Sequence, residues 1–200
     1  MRQWISWAIL LVATTIPVQA SSVLAVDFQQ LSRFARHVIS GEVTSVEAAK
    51  DSTGYIFSTV TIRVRRAVPT QLQGTDYTFR MLGGETSDGR LAIQGMPHFT
   101  VGDRVALFLN AKPEQVFGPT VGLWQGVFFV ETDPTTGQDV MLSADRRPVT
   151  AVRENRLVTA PQILPKGGLG LKALAVEGQS GPSLLSADRF FEEVRLHRGQ

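Results

Sequence analysis

The sequence predicts a mainly β protein: a five-stranded OB-like barrel with a short N-terminal helix, extra C-terminal hairpin strands and a C-terminal helix. Three observations carry that expectation. Val60, Ile62, Val64 and Val68 fall at even spacing opposite Thr61, Arg63 and Arg65, the period of a half-buried strand. Arg104 to Asn110 is almost continuously apolar between turn residues, as in a strand covered on both faces. Helical spacing is confined to the two ends of the domain, around Phe28 to Ala35 and Phe190 to Leu196.

The chain has 200 residues and opens Met1-Arg2-Gln3, with one positive charge, before an uncharged run from Trp4 to Ile16. Pro17 ends that run short of the roughly 20 apolar residues a membrane-spanning helix requires, so it reads as a signal peptide that meets the membrane only transiently. Val18-Gln19-Ala20 gives a cut after Ala20, and Val23-Leu24-Ala25 gives the alternative after residue 25. The expected organisation is 1–20 signal peptide, 21–160 β-barrel domain, 161–182 flexible linker and 183–200 C-terminal helix. The product is then exported, either periplasmic or extracellular. It has no cysteine, which removes disulfides, thiolate metal sites, cysteine nucleophiles and a lipid-bearing cysteine at the cut. A net charge of +2, from 20 basic and 18 acidic residues, lacks the basic excess of a nucleic-acid-binding surface.

Asp27 caps the first helix, with Phe28, Leu31, Phe34 and Ala35 on its apolar side. Val38 to Val46 changes the period to that of a strand. Asp51 to Gly54 is a turn, and Tyr55 to Val68 is so long a strand that it must bend or coil around a small barrel. Thr75 to Leu82 is the third strand, with Tyr77, Phe79 and Met81 on one face. The loop from Gly83 to Gly95 holds an Asp88-Gly89 turn and a short strand through Leu91 and Ile93. After the Pro97 to Asp103 turn and the apolar fourth strand, Val121 to Val130 supplies the fifth. Val140 to Leu142 returns antiparallel, and two weaker strands, Val149 to Val152 and Leu157 to Thr159, flank a turn at Glu154-Asn155. These extra strands keep a sandwich open as an alternative. The Gly- and Pro-rich stretch from Pro161 to Pro182 is the linker, and Ser186 caps a last helix with Phe190, Phe191, Val194 and Leu196 on its apolar side.

No catalytic constellation stands out, and no cofactor is expected. His37, His98 and His197 are too far apart in sequence to form a paired metal motif. There is no Gly-x-Ser-x-Gly elbow. Glu42, Glu47, Asp76, Glu85, Asp88 and Asp103 lie on a strand edge or in turns, where acidic residues serve capping and solubility. Gly167-Gly168-Leu169-Gly170 lacks the Gly-Lys-Ser/Thr ending of a phosphate loop and reads as linker. Tyr77, Phe79 and Trp124 are the candidate ligand-binding residues, Trp124 because flanking glycines let an aromatic ring present a flat face to a sugar or peptide.

Val38-Ile39-Ser40-Gly41-Glu42-Val43 after a short helix, Phe57 to Ile62, Gly74, Gly83-Gly84 and Pro97-x-Phe99-x-x-Gly102-Asp103-x-Val105 to Leu109 together resemble a family of uncharacterised exported bacterial proteins. More distantly, they are similar to the netrin-like OB-fold domain of tissue inhibitors of metalloproteinases. The resemblance spans Leu31 to Val130, about half the chain, and implies a place beside a secreted matrixin-type metalloprotease. The inhibitors bind the protease zinc through an N-terminal disulfide-bonded cysteine, which this chain lacks, so that device does not transfer. The leading expectation is therefore a non-enzymatic exported binding module. The alternative is a cell-envelope interaction protein that binds polysaccharide through Tyr77, Phe79 and Trp124, and an unrecognised enzyme is third.

Overall fold

The computed structural model describes residues 24–111, 118–161, 163–166 and 183–199. The expected signal peptide, the Gly167 to Gly170 run and most of the expected linker lie outside them.

Helix α1 (Phe28–Phe34) starts with a reciprocal cap: the Gln30 N–H donates to Asp27 Oδ1 at 2.7 Å and the Asp27 N–H to Gln30 Oε1 at 3.0 Å. The strands are β1 (His37–Lys50), β2 (Ile56–Val68), β3 (Asp76–Leu82), β4 (Gly84–Thr86), β5 (Gly89–Leu91), β6 (Arg104–Leu109), β7 (Val127–Thr132), β8 (Asp139–Ser143), β9 (Val149–Arg153) and β10 (Arg156–Thr159). Helix α2 (Ala187–Arg198) closes the described chain, with the Ser186 hydroxyl accepting from the Arg189 N–H. The main sheet runs β3-β2-β1-β6-β7-β8 with antiparallel neighbours throughout, while β4-β5 and β9-β10 form separate hairpins. Its β6-β1-β2-β3 part is a Greek key, in which a fourth strand returns to lie beside the first.

The five-stranded barrel is not closed. Among the described residues β3 and β8 stand at opposite ends of one open sheet, and no ladder joins them. The reason lies in the path of the chain beyond β3: it turns at Gly83-Gly84, and the short β4-β5 hairpin and the loop after it cover the far side without joining the main sheet. The outer edge of β8 is covered by the segment before α2, where Ser186 bridges Val140 and the Met141 N–H donates to the Leu185 carbonyl.

The sheet buries both faces. On the helix face, Phe28, Leu31, Val38, Phe108, Phe128, Phe190 and Phe191 are among the side chains forming one core, with Phe28, Phe108 and Phe190 meeting edge to face at centroid distances of 5.3–5.9 Å. On the loop face, Ile39, Val43, Val60, Ile62, Val64, Phe79, Phe99 and Leu107 belong to another. Strand β6 divides its side chains between them, Ala106 and Phe108 to the helices, Val105, Leu107 and Leu109 to the loop. That is why its sequence is apolar without alternation. The β1-β2 ladder is bulged twice, with Arg65 the extra residue on β2 opposite Ser40/Gly41 and Thr44 the extra residue on β1 between Val43 and Ser45, which lets so long a pair of strands bend.

Three local expectations change. Val121 to Val130 is not one strand: Gly122 and Leu123 have φ of +66° and +58°, Leu123–Gly126 forms a 3₁₀ turn, and pairing begins only at Val127. The short strand in the Gly83 to Gly95 loop ends at Leu91 and pairs with Gly84–Thr86, so Ile93 lies beyond it. Phe34 and Leu196 are 66% and 65% exposed, and Ser32 is buried instead, its hydroxyl donating to the Phe28 carbonyl at 2.8 Å. Leu196 follows Val194 by two residues, a turn of about 200°, which carries it away from the sheet.

Candidate binding cleft

At Gly83-Gly84 the chain leaves β3 and folds back over the ends of β1 and β2. The reversal is held by Ser58, whose hydroxyl donates to the Gly83 carbonyl at 2.7 Å. Gly84 has φ +146°, and a Cβ there would fall 2.4 Å from Ser58 Oγ, so a larger residue would push this crossing away from the sheet. Farther along, Phe99 packs edge to face on Phe79 at 5.9 Å and seals the loop against the core.

Between the seal and the crossing lies a cleft of about 500 Å³. Val46 and Ala48 of β1, Met81 of β3, and Ile93, Met96 and Phe99 of the loop are among its walls. Glu85, Arg90, His98 and Thr100 place polar groups around an apolar interior, and all four are exposed. Volume and lining suit an apolar group of limited size whose polar end remains in water.

One side of the cleft is fixed by Asp103. Its buried carboxylate accepts from the Thr100 N–H at 2.7 Å and the Thr100 hydroxyl at 2.9 Å, and pairs with Lys166 Nζ at 2.6 Å. Burial alone would raise the carboxyl pKa; the bonds from Lys166 and Thr100 outweigh it and hold the group below the usual carboxylate range. The described beginning of the expected linker is thus anchored. Leu164 is buried with Val140 and Leu142, and its N–H donates to the Arg146 carbonyl at 3.0 Å. Arg146 Nε in turn donates to the Leu164 carbonyl at 3.2 Å, and its guanidinium pairs with Glu131 at 2.5 Å.

No family model, curated protein or solved structure matches the chain. Geometry and sequence therefore carry the functional reading.

The structure does not gather Tyr77, Phe79 and Trp124 into one platform. Phe79 is 2% exposed in the loop-face core, and Tyr77 is half-buried beside it with ring centroids 6.4 Å apart. Trp124 stands in the 3₁₀ turn, 39% exposed, its ring so close to Gly95 that a Cβ there would come within 2.9 Å of Cζ3. Since Ile93 and Met96 flank Gly95 and line the cleft, Trp124 props the cleft wall from outside. His37 has Nδ1 buried without a hydrogen-bond partner, and burial, then Arg36 and Arg198, lower its pKa. His197 packs against Phe28 at 5.4 Å, and His98 is at the cleft rim. Among the described residues no group of three or more His, Asp or Glu side chains is placed to hold a metal ion.

Sequence reasoning missed the cleft walls on the loop. A signal was there: Leu91, Ile93, Met96, Pro97 and Phe99 make that segment too apolar for a loop that merely meets solvent.

Proposed function

We propose that this chain is a non-enzymatic exported binding module, OB-like in its strand order, that receives an apolar group of a protein partner in the cleft over β1, β2 and β3. The carrying observation is the cleft itself, an apolar hollow of about 500 Å³ left between sheet and loop with exposed polar groups at its rim. The partner class is a secreted matrixin-type metalloprotease, supported by the resemblance of Leu31 to Val130. With no cysteine in the chain, contact would be made by the cleft and its rim rather than by a thiol-anchored N-terminus.

Val46 lies on the cleft wall and is half-buried, so Val46→Trp fills the hollow from an existing side-chain position. The parent chain should co-purify with a matrixin-type protease and the variant should not, with thermal melts confirming that both are folded. Equal capture removes the cleft from the reading. Failure of the parent to bind at any salt concentration removes the protease. A polysaccharide-binding envelope protein stays as a second reading because Trp124 keeps 39% of its surface exposed. A Trp124→Ala variant that binds envelope polysaccharide as well as its parent would eliminate it.

A further inference from the structure

We infer that the outer edge of β3 is a homodimer interface, at which a second copy of this chain adds its own β3 antiparallel about a two-fold axis through Thr78. This surface is distinct from the cleft.

The ladder fixes which backbone groups are available. The Gly83 N–H donates to the Ile56 carbonyl and the Val64 N–H to the Thr75 carbonyl, so pairing alternates and Tyr77, Phe79 and Met81 turn their main-chain groups toward β2. Asp76, Thr78 and Arg80 turn theirs outward, and no main-chain hydrogen bond from the described residues meets them there. All three residues are exposed. A short edge is ordinarily protected by charges that repel a second copy. Here the charges do the opposite.

With the axis at Thr78, Asp76 faces Arg80 of the second copy, Arg80 faces its Asp76, and Thr78 faces Thr78. Each facing pair has its N–H and C=O directed at the other, the arrangement in which opposed residues exchange both hydrogen bonds. Opposite charges and paired threonines are stabilising cross-strand neighbours. Within one copy the Thr61 and Thr78 hydroxyls already lie 3.0 Å apart and Arg63 pairs with Asp76, so both rows continue unbroken into the second copy. On the other face Tyr77 falls opposite Phe79. Neighbouring registers lose this match: an axis at Phe79 sets Asp76 against Leu82, an axis at Arg80 sets Arg80 against Arg80, and an axis at Tyr77 runs the ladder into the turn at Gly74. Self-complementarity about a single residue is what an isologous interface needs.

The test uses the mature chain in sedimentation equilibrium. The parent should sediment at the dimer mass, whereas Arg80→Asp and Asp76→Arg should each sediment at the monomer mass, because both pairs that join positions 76 and 80 then carry like charges. Mixed, these two variants should recover the dimer mass as a one-to-one pair. Separately, Thr78→Cys introduces the chain's sole cysteine at the axis. Facing Cα atoms there would be about 5.5 Å apart, within the span of a disulfide, so mild oxidation should cross-link it. Arg80→Cys, displaced about 13 Å from its own symmetry mate along the strands, should not cross-link. A parent that is monomeric at all concentrations overturns the inference and leaves the edge to a different strand. So does a variant mixture that remains monomeric, or equal cross-linking of the two cysteine variants.

Discussion

Gly41 sits opposite the Arg65 bulge of β2, where a Cβ would come 2.2 Å from the Arg63 carbonyl oxygen on that strand. No side-chain rotation relieves a clash with backbone. Gly41→Ala should therefore lower stability by about 1–3 kcal/mol, read as a lower urea midpoint with the denaturant slope unchanged. At the same scale, Phe190 is fully buried among Phe28, Phe108, Phe128 and Phe191. Its truncation to alanine should cost about 3–5 kcal/mol, measured in the same way. Burial of residues such as Val60, Ile62 and Val64 was legible from their alternation. The exposure of Phe34 was not, because an apolar stripe on a seven-residue helix does not say which flank the incoming strand will cover.

Among elements, the two helices are tied by one side chain. The Arg198 guanidinium donates to the carbonyls of Ser32, Ala35 and Arg36, where α1 ends and its last carbonyls lack helical partners. Arg198→Met keeps much of the stem but removes the donors, so amide exchange in α1 should accelerate while that in β6 is unchanged. The anchor of residues 163–166 responds to pH. Because the folded Asp103 carboxyl is held low, its contribution is complete above the unfolded carboxylate value of about 3.9 and is lost as pH falls through the folded value. Asp103→Asn should make the acid limb of stability against pH shallower, which urea midpoints across that range would reveal. The pairing of Asp103 with Lys166 was beyond sequence reasoning, since their separation of 63 positions leaves no local pattern to detect.

At the level of the whole molecule, β1 and β6 belong to both cores: Val38 and Phe108 pack toward the helices, Ile39 and Leu107 toward the loop. Losing either core strips one face of the same two strands, so the described domain should unfold as one cooperative unit. Trp124 is the single tryptophan after residue 7, and it lies at the loop side of the sheet. In a chain of residues 21–200, its fluorescence and the far-UV circular dichroism should give coincident urea transitions. Separate midpoints would show that the loop-side structure opens independently.

Local chemistry set much of this architecture. Alternation placed the long strands, unbroken apolarity marked β6 as covered on both faces, and Asp27 and Ser186 marked where the helices begin. These signals operate over a few residues and so are written in the chain. Closure is different in kind, because it depends on which strand edges meet across the molecule. Gly83-Gly84 turning back over β1 and β2, Leu164 filling a site against β8, and Phe99 reaching Phe79 decided that one open sheet with a loop-roofed cleft would form in place of a closed barrel.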